Sequence, residues 1–185
     1  MLRVSVIGSS SGAGKTTFGR RLAERLELPF IELDAIHWGP GWSSPSPEPF
    51  RENVIKALPA GGWVVDGNYG ALGGLVWERA DTLIWLDIPL WIAFVRIVIR
   101  TLRRIRTGEE IWAGTGNRET IRKAFFAKDS LLFYALRTYR KRKRRWEEHL
   151  RTGRWSHLTV HRFHSNADAD RWLASRGRPA CEGRS

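Results

Sequence analysis

The stretch Gly8-Ser-Ser-Ser-Gly-Ala-Gly-Lys-Thr-Thr17 constrains this chain more than any other, because of what flanks it. Before it, Leu2 to Ile7 alternates like a short buried strand. After it, Lys15 to Leu26 places Phe18, Leu22 and Leu26 on one helical face. A glycine-rich turn between a strand and a helix curls its backbone so that N–H groups converge on an anion, and the helix adds its positive end. Gly8, Ser9, Ser10, Ser11, Gly12, Ala13, Gly14, Lys15, Thr16 and Thr17 are therefore expected to cradle the phosphates of a nucleotide such as ATP. Lys15 supplies a point charge to the terminal phosphates, and the Thr16 hydroxyl is placed to ligate Mg²⁺. Thr17 also packs the helix.

The spacing departs from the usual pattern. Five residues, not four, separate Gly8 from Gly14. Either Ser9 holds the first motif position, in a conformation that glycine takes more cheaply, or the loop carries one extra serine.

Farther along, Pro29–Asp34, Trp63–Asp66, Thr82–Asp87 and His157–Phe163 read as strands, the first three of these each closing on an acid. Helices are expected over Phe50–Leu58, Leu90 to about Arg106, Glu119–Lys128, Ser130–Leu150 and Ala167–Ala174. Gly39–Pro49 is too rich in turn formers to be regular. Strands alternating with helices predict a three-layer α/β/α fold with a five-stranded parallel sheet. The 185 residues suit one domain over 1–175, with a frayed tail over 176–185.

Composition narrows the functional classes. Cys181, the single cysteine, excludes an intrachain disulfide framework and a cysteine-rich zinc site. The longest apolar run, Thr82–Ile99, contains Asp87, Pro89 and Arg96, which disfavour a membrane span. With no leader pattern in MLRVSVIG, the expected location is the cytoplasm. The net charge of +12 resides in residues 96–145, which hold sixteen Lys/Arg against four Asp/Glu, while the remainder holds fifteen of each. Such a segment should meet phosphate on a nucleotide, a nucleic acid or a membrane surface, or else form a solvated helix face. Within it, Arg137–Arg145 has seven basic residues in nine, expected to ring the helix. Non-specific nucleic-acid contact through this run is the alternative function. Pairing of Glu147 and Glu148 back to Lys143 and Arg144 would weaken that alternative.

The motifs IGSSSGAGKTT, ELDAIHWGPGW, WVVDGNY and ADTLIWLDIP, with the arginine-rich segment after them, resemble nucleoside-monophosphate-kinase-like P-loop proteins over about residues 2–175. The likeness is nearest to the adenylate-kinase-like DNA topology modulation proteins. It implies an ATP- and Mg²⁺-dependent phosphotransferase, with an acceptor-binding region over about 34–62 and a helical lid over about 101–147. Asp66 would hold Mg²⁺ with Thr16 beside the acceptor, or else cap the next turn. Asp34 would address the acceptor hydroxyl as general base, or cap a loop; Asp34-Ala-Ile-His37 is similar to the Asp-x-Leu-His run of gluconate-kinase-like enzymes. His37 would touch the acceptor or pack beside Trp38. Arg51 would clamp an anionic acceptor group, or pair with Glu48 or Glu52. Arg96 and Arg100, one turn apart, would reach one phosphate cluster, with Asp87 holding one of them. Arg118, Arg122 and Lys123 would descend on ATP as the lid closes, and adenine would rest near Ser165-Asn166.

Overall fold

The computed structural model describes residues 1–72, 74–120 and 131–176, with the side chains of 131–135 outside that description. The expected helix over Glu119–Lys128 from residue 121 onward, the cations Arg122 and Lys123, and Cys181 fall outside the described residues.

Strands β1 (Arg3–Gly8), β2 (Phe30–Glu32), β3 (Trp63–Asp66), β4 (Thr82–Leu86) and β5 (Thr159–Phe163) form one sheet in the order β2-β3-β1-β4-β5, every pair parallel. Parallel strands need crossovers, and those crossovers cover both faces. The side chains divide accordingly with a period of two. Val4 and Val6 of β1, Val64 of β3, and Ile84 and Leu86 of β4 join one buried cluster. Ile7, Trp63, Val65, Leu83 and Trp85 join the other.

Helices α1 (Lys15–Leu26) and α7 (Asn166–Ser175) close the first face with Phe18, Leu22, Ala169 and Leu173. Helices α3 (Pro47–Ala57), α4 (Leu75–Arg79) and α6 (Leu131–Arg151) close the second with Phe50, Val54, Trp77 and Trp146. This is the expected three-layer α/β/α architecture. Its phosphate loop leaves the C-terminal end of the central strand, where such sheets bind ligands.

Two local expectations need correction. The second strand stops at Glu32, and a one-turn helix α2 (Leu33–His37) follows, so Asp34 opens a helix and does not end a strand. The Gly39–Pro49 stretch is partly regular, with a 3₁₀ turn at Pro40–Trp42 and α3 starting at Pro47. Proline suits that first helical position, where its missing N–H has no partner to lose. Helix α4 was not foreseen from the sequence; five residues give too little periodicity to read. The long helix α5 spans Leu90–Thr107, one residue beyond its expected end.

Candidate active site

Gly8 belongs to β1, paired in register with Leu86, so the loop proper runs from Ser9 to Gly14. Ser9 thus opens the loop. The expected strain is absent: Glu27 and Trp42 are the non-glycine residues with positive φ among those described. The side chain explains the serine. Fully buried, its hydroxyl donates to Asp87 Oδ1 at 2.7 Å and accepts from the Trp85 indole at 3.0 Å. Left-handed geometry falls instead on Gly12 (φ 81°) and Gly14 (φ 93°). A Cβ on Gly12 would lie 2.5 Å from the Ala93 carbonyl oxygen of α5, and one on Gly14 would lie 2.8 Å from Asn166 Nδ2. Neither position tolerates another residue. Lys15 folds back over the loop, its Cδ 3.0 Å from where a Gly8 Cβ would sit.

Opposite the loop, β3 delivers Asp66. The Thr16 hydroxyl donates to its Oδ2 at 2.5 Å, while its Oδ1 is buried without a partner. Burial pushes the Asp66 carboxyl up to about 6, against the downward pull of Lys15 and the Thr16 hydrogen bond. The charges of Asp34 and Glu32 push it further up; the register sets Glu32 directly beside it. An orphaned carboxylate oxygen buried beside a hydroxyl and an ammonium is an open ligand position. Among the described residues no cluster of three or more His, Cys, Asp or Glu could hold a metal unaided. Mg²⁺ suits this pair because it binds through one or two protein oxygens with phosphate and water completing its shell.

Asp34 lies exposed across from this pair and accepts a hydrogen bond from the Tyr69 hydroxyl. His37 packs against Trp38, Phe50 and Tyr69 at centroid distances of 4.8, 4.9 and 4.5 Å. Burial lowers its pKa despite the opposing charge of Asp34, so a neutral ring fits this aromatic nest. Arg51 donates to the Leu72 carbonyl at 2.7 Å, bracing the 3₁₀ turn at Gly70–Leu72 and not pairing with Glu48 or Glu52.

Arg96 and Arg100 of α5 part company. Arg96 donates to Asn166 Oδ1 at 2.6 Å, and Asn166 donates to the Ala13 carbonyl at 3.2 Å, which ties the start of α7 to the phosphate loop. Arg100 instead feels the charges of Arg104, Glu119, Asp34 and Glu32. Burial, then the neighbouring Arg104 charge, lowers its pKa, while Glu119, Asp34 and Glu32 oppose that shift; its Nε is buried without a partner. Of the two, Arg96 is therefore the one tied to the phosphate loop.

Asp87 holds neither of them, contrary to expectation. Burial would raise its carboxyl, but Ser9, Lys143 and Arg162 outweigh that and hold it below its ordinary value. Arg162 approaches at 2.6 Å, Lys143 at 2.9 Å and His164 Nδ1 at 3.4 Å. Arg162 also bridges to Glu147 at 2.8 Å and lies 4.0 Å over the Trp85 ring. The expected pairing of Glu147 with Lys143 is thus replaced by two cross-element bridges. The basic run does not form a uniform collar either. Lys143 turns inward to Asp87, whereas Arg137, Arg140, Lys141, Arg144 and Arg145 are exposed, the last lying over Trp146.

The link between residues 39–42 and residues 112–117 has no counterpart in the sequence-based expectations. Buried Asn117 donates to the Gly39 carbonyl at 2.9 Å and accepts from the Trp42 backbone N–H at 2.9 Å. Trp42 is held at φ 65°, a costly conformation for a bulky residue, and its ring meets Trp112 edge-on at 6.0 Å. The Trp112 indole donates to Glu32 at 3.3 Å, and Glu32 pairs with Arg20 at 2.9 Å. Gly114, Gly116 and Asn117 read only as turn formers. Tyr69 carried a signal, three residues beyond Asp66 on the same loop.

No curated protein is similar enough in sequence to match this chain. The model of the shikimate kinase family matches residues 11–53, from mid-loop through β2 and α2 into α3. Among solved structures, shikimate kinase from Bacteroides thetaiotaomicron superposes with a TM-score of 0.53 at 18% identity, covering 94% of each chain. Shikimate kinase from Acinetobacter baumannii, solved in complex with shikimate, gives 0.54 at 15%, covering 94% of this chain and 92% of that one. A gluconokinase from Sinorhizobium meliloti gives 0.50 at 18%, covering 92% and 87%. With strand order, phosphate loop and end-to-end superposition in agreement, the chain has the fold of the P-loop small-molecule kinases.

Proposed function

We propose that this protein transfers the terminal phosphoryl group of ATP to a hydroxyl or phosphate oxygen of a small acceptor. The observation that carries the reading is the Thr16–Asp66 pair at 2.5 Å, with one Asp66 oxygen buried and unpartnered beside Lys15. A bound Mg²⁺ would supply positive charge to stabilise the transferring phosphoryl group. Thr16 and Asp66 would hold it, and Lys15 would neutralise the terminal phosphate. Asp34, oriented by Tyr69, would accept the proton of the acceptor hydroxyl. The acceptor oxygen bonds to phosphorus as the bond to the ADP oxygen breaks, and the proton leaves through Asp34 to solvent. Arg100 would meet the transferring group, while Arg96 and Asn166 would steady the nucleotide side.

Shikimate-like, gluconate-like and nucleoside monophosphate acceptors all suit this chemistry, the last being the adenylate-kinase type. Acceptor-dependent ADP release, measured across hydroxy acids, sugar acids, sugars and nucleotides, tests the reading. The expected result is release with one acceptor class that disappears without Mg²⁺. A protein that binds ATP yet releases ADP with no acceptor in that range would overturn it.

The second reading is a nucleotide-gated nucleic-acid-binding protein of the topology modulation type. It draws support from the exposed row Arg137, Arg140, Lys141 and Arg144. Lys143, engaged with Asp87, leaves that row smaller than the sequence suggests. Steeply salt-dependent DNA or RNA binding, lost on neutralising the row, is its signature.

A further inference from the structure

Helix α5 is amphipathic in an unusual sense, since it carries two apolar faces. Ala93, Ile97 and Thr101 point inward and are buried. On the opposite side Trp91, Val95, Ile99 and Leu102 are 70%, 47%, 63% and 51% exposed. At about 100° per residue these four fall inside an arc of roughly 80°. They form a continuous outward stripe along the helix. Arg106 lies within that arc at its C-terminal end, Arg103 borders it, and both are exposed. Arg103 makes a peripheral pair with Glu109 at 3.5 Å. Helix α6 packs against α5 and presents the exposed row Arg137, Arg140, Lys141 and Arg144, with Leu136 also 45% exposed.

No reaction described above uses this stripe, and a soluble surface rarely aligns four large apolar side chains without a partner. Two properties of the partner follow from chemistry. It must reward burial of tryptophan and aliphatic side chains, which a nucleic-acid backbone does not. It must also be anionic, because the net charge of +12 is concentrated in the segment that includes this helix. A second copy of the chain would bring like charges together. No helix among the described residues is long and apolar enough to cross a membrane. A helix with Trp and aliphatic residues on one side and arginines at its border instead suits lying in the plane of a lipid surface. We propose that the outward face of α5 seats this protein on anionic lipid bilayers, with the α6 row adding electrostatic attraction.

The test is sedimentation of the full chain with vesicles at physiological ionic strength. Vesicles of mixed phosphatidylglycerol and phosphatidylcholine should carry the protein down, and pure phosphatidylcholine should not. A triple variant with Trp91→Ser, Ile99→Ser and Leu102→Ser changes only exposed positions. It should keep its circular dichroism and lose vesicle binding by about tenfold or more. A second variant, Arg103→Gln with Arg106→Gln, should weaken binding to the anionic vesicles. The proposal falls if the wild type fails to sediment with anionic vesicles, or if it binds them equally well after the stripe is replaced. It also falls if light scattering shows a dimer that the triple variant dissolves while vesicle binding is absent, or if DNA binds while vesicles do not.

Discussion

Replacing Asp66 with asparagine should stabilise the protein while disabling it. The carboxyl is 4% exposed, and its value is pushed up to about 6 from an ordinary 3.8. Because the native group holds its proton to higher pH than the unfolded one, the folded state binds more protons between about pH 4 and 6. Stability therefore falls as pH rises through that window and levels off above it. The difference corresponds to about 3 kcal/mol at 1.36 kcal/mol per pH unit, which is an upper bound. The amide of the Asp66→Asn variant would keep an oxygen for the Thr16 hydroxyl and carry no charge to desolvate, so a gain of about 1–2 kcal/mol at pH 7.5 is expected. For a chain of this length that raises the melting temperature by about 2–8 °C. At pH 5, where the native wild-type carboxyl is mostly protonated, the gain should shrink. The assay is thermal unfolding of both proteins at the two pH values in Mg²⁺-free buffer, paired with ATP turnover. Equal stability at pH 7.5, or an equal gain at both pH values, would refute the argument that Asp66 is a costly buried charge kept for its chemistry.

Three further outcomes follow from single contacts. Asp34→Asn should lower acceptor-dependent turnover by about 10²–10⁴ without changing nucleotide affinity; retained turnover would remove Asp34 from the reaction. Ser9→Gly restores the commoner loop residue but leaves the Trp85 indole and one Asp87 oxygen without a partner, at a cost of about 1–3 kcal/mol in urea unfolding with ATP binding retained. An unchanged unfolding midpoint would mean that the hydroxyl contributes nothing. Asn117→Ala cuts both hydrogen bonds from Asn117 to the Gly39–Trp42 turn. It should raise the acceptor KM and speed proteolysis within residues 108–118, and no change in either would show that the link is incidental.

The sheet and the phosphate loop were legible because each is written locally. Strand alternation, a glycine turn and a helix follow one another within 26 residues, and the inward and outward sets of β1, β3 and β4 follow from a period of two. Asp66 was legible for the same reason, as an acid ending an apolar strand. What escaped was non-local. That Asp87 would gather Ser9, Lys143 and Arg162 depends on β1, β5 and α6 arriving beside β4, from positions distant along the chain. The same holds for Asn117, whose partners Gly39 and Trp42 lie 78 and 75 residues away. Helical spacing put Arg96 and Arg100 one turn apart, yet long side chains on neighbouring turns can still reach different partners. Asn166 draws Arg96, whereas Arg100 lies in the field of Glu119, Asp34 and Glu32.

Calorimetric titration with ATP in magnesium buffer, on the wild type and on Lys15→Ala, bears most directly on the phosphate loop as the seat of function. Saturable one-to-one heat should appear for the wild type, weaken without Mg²⁺, and fall below detection in the variant. Absence of heat with the wild type, or equal binding by Lys15→Ala, would contradict it.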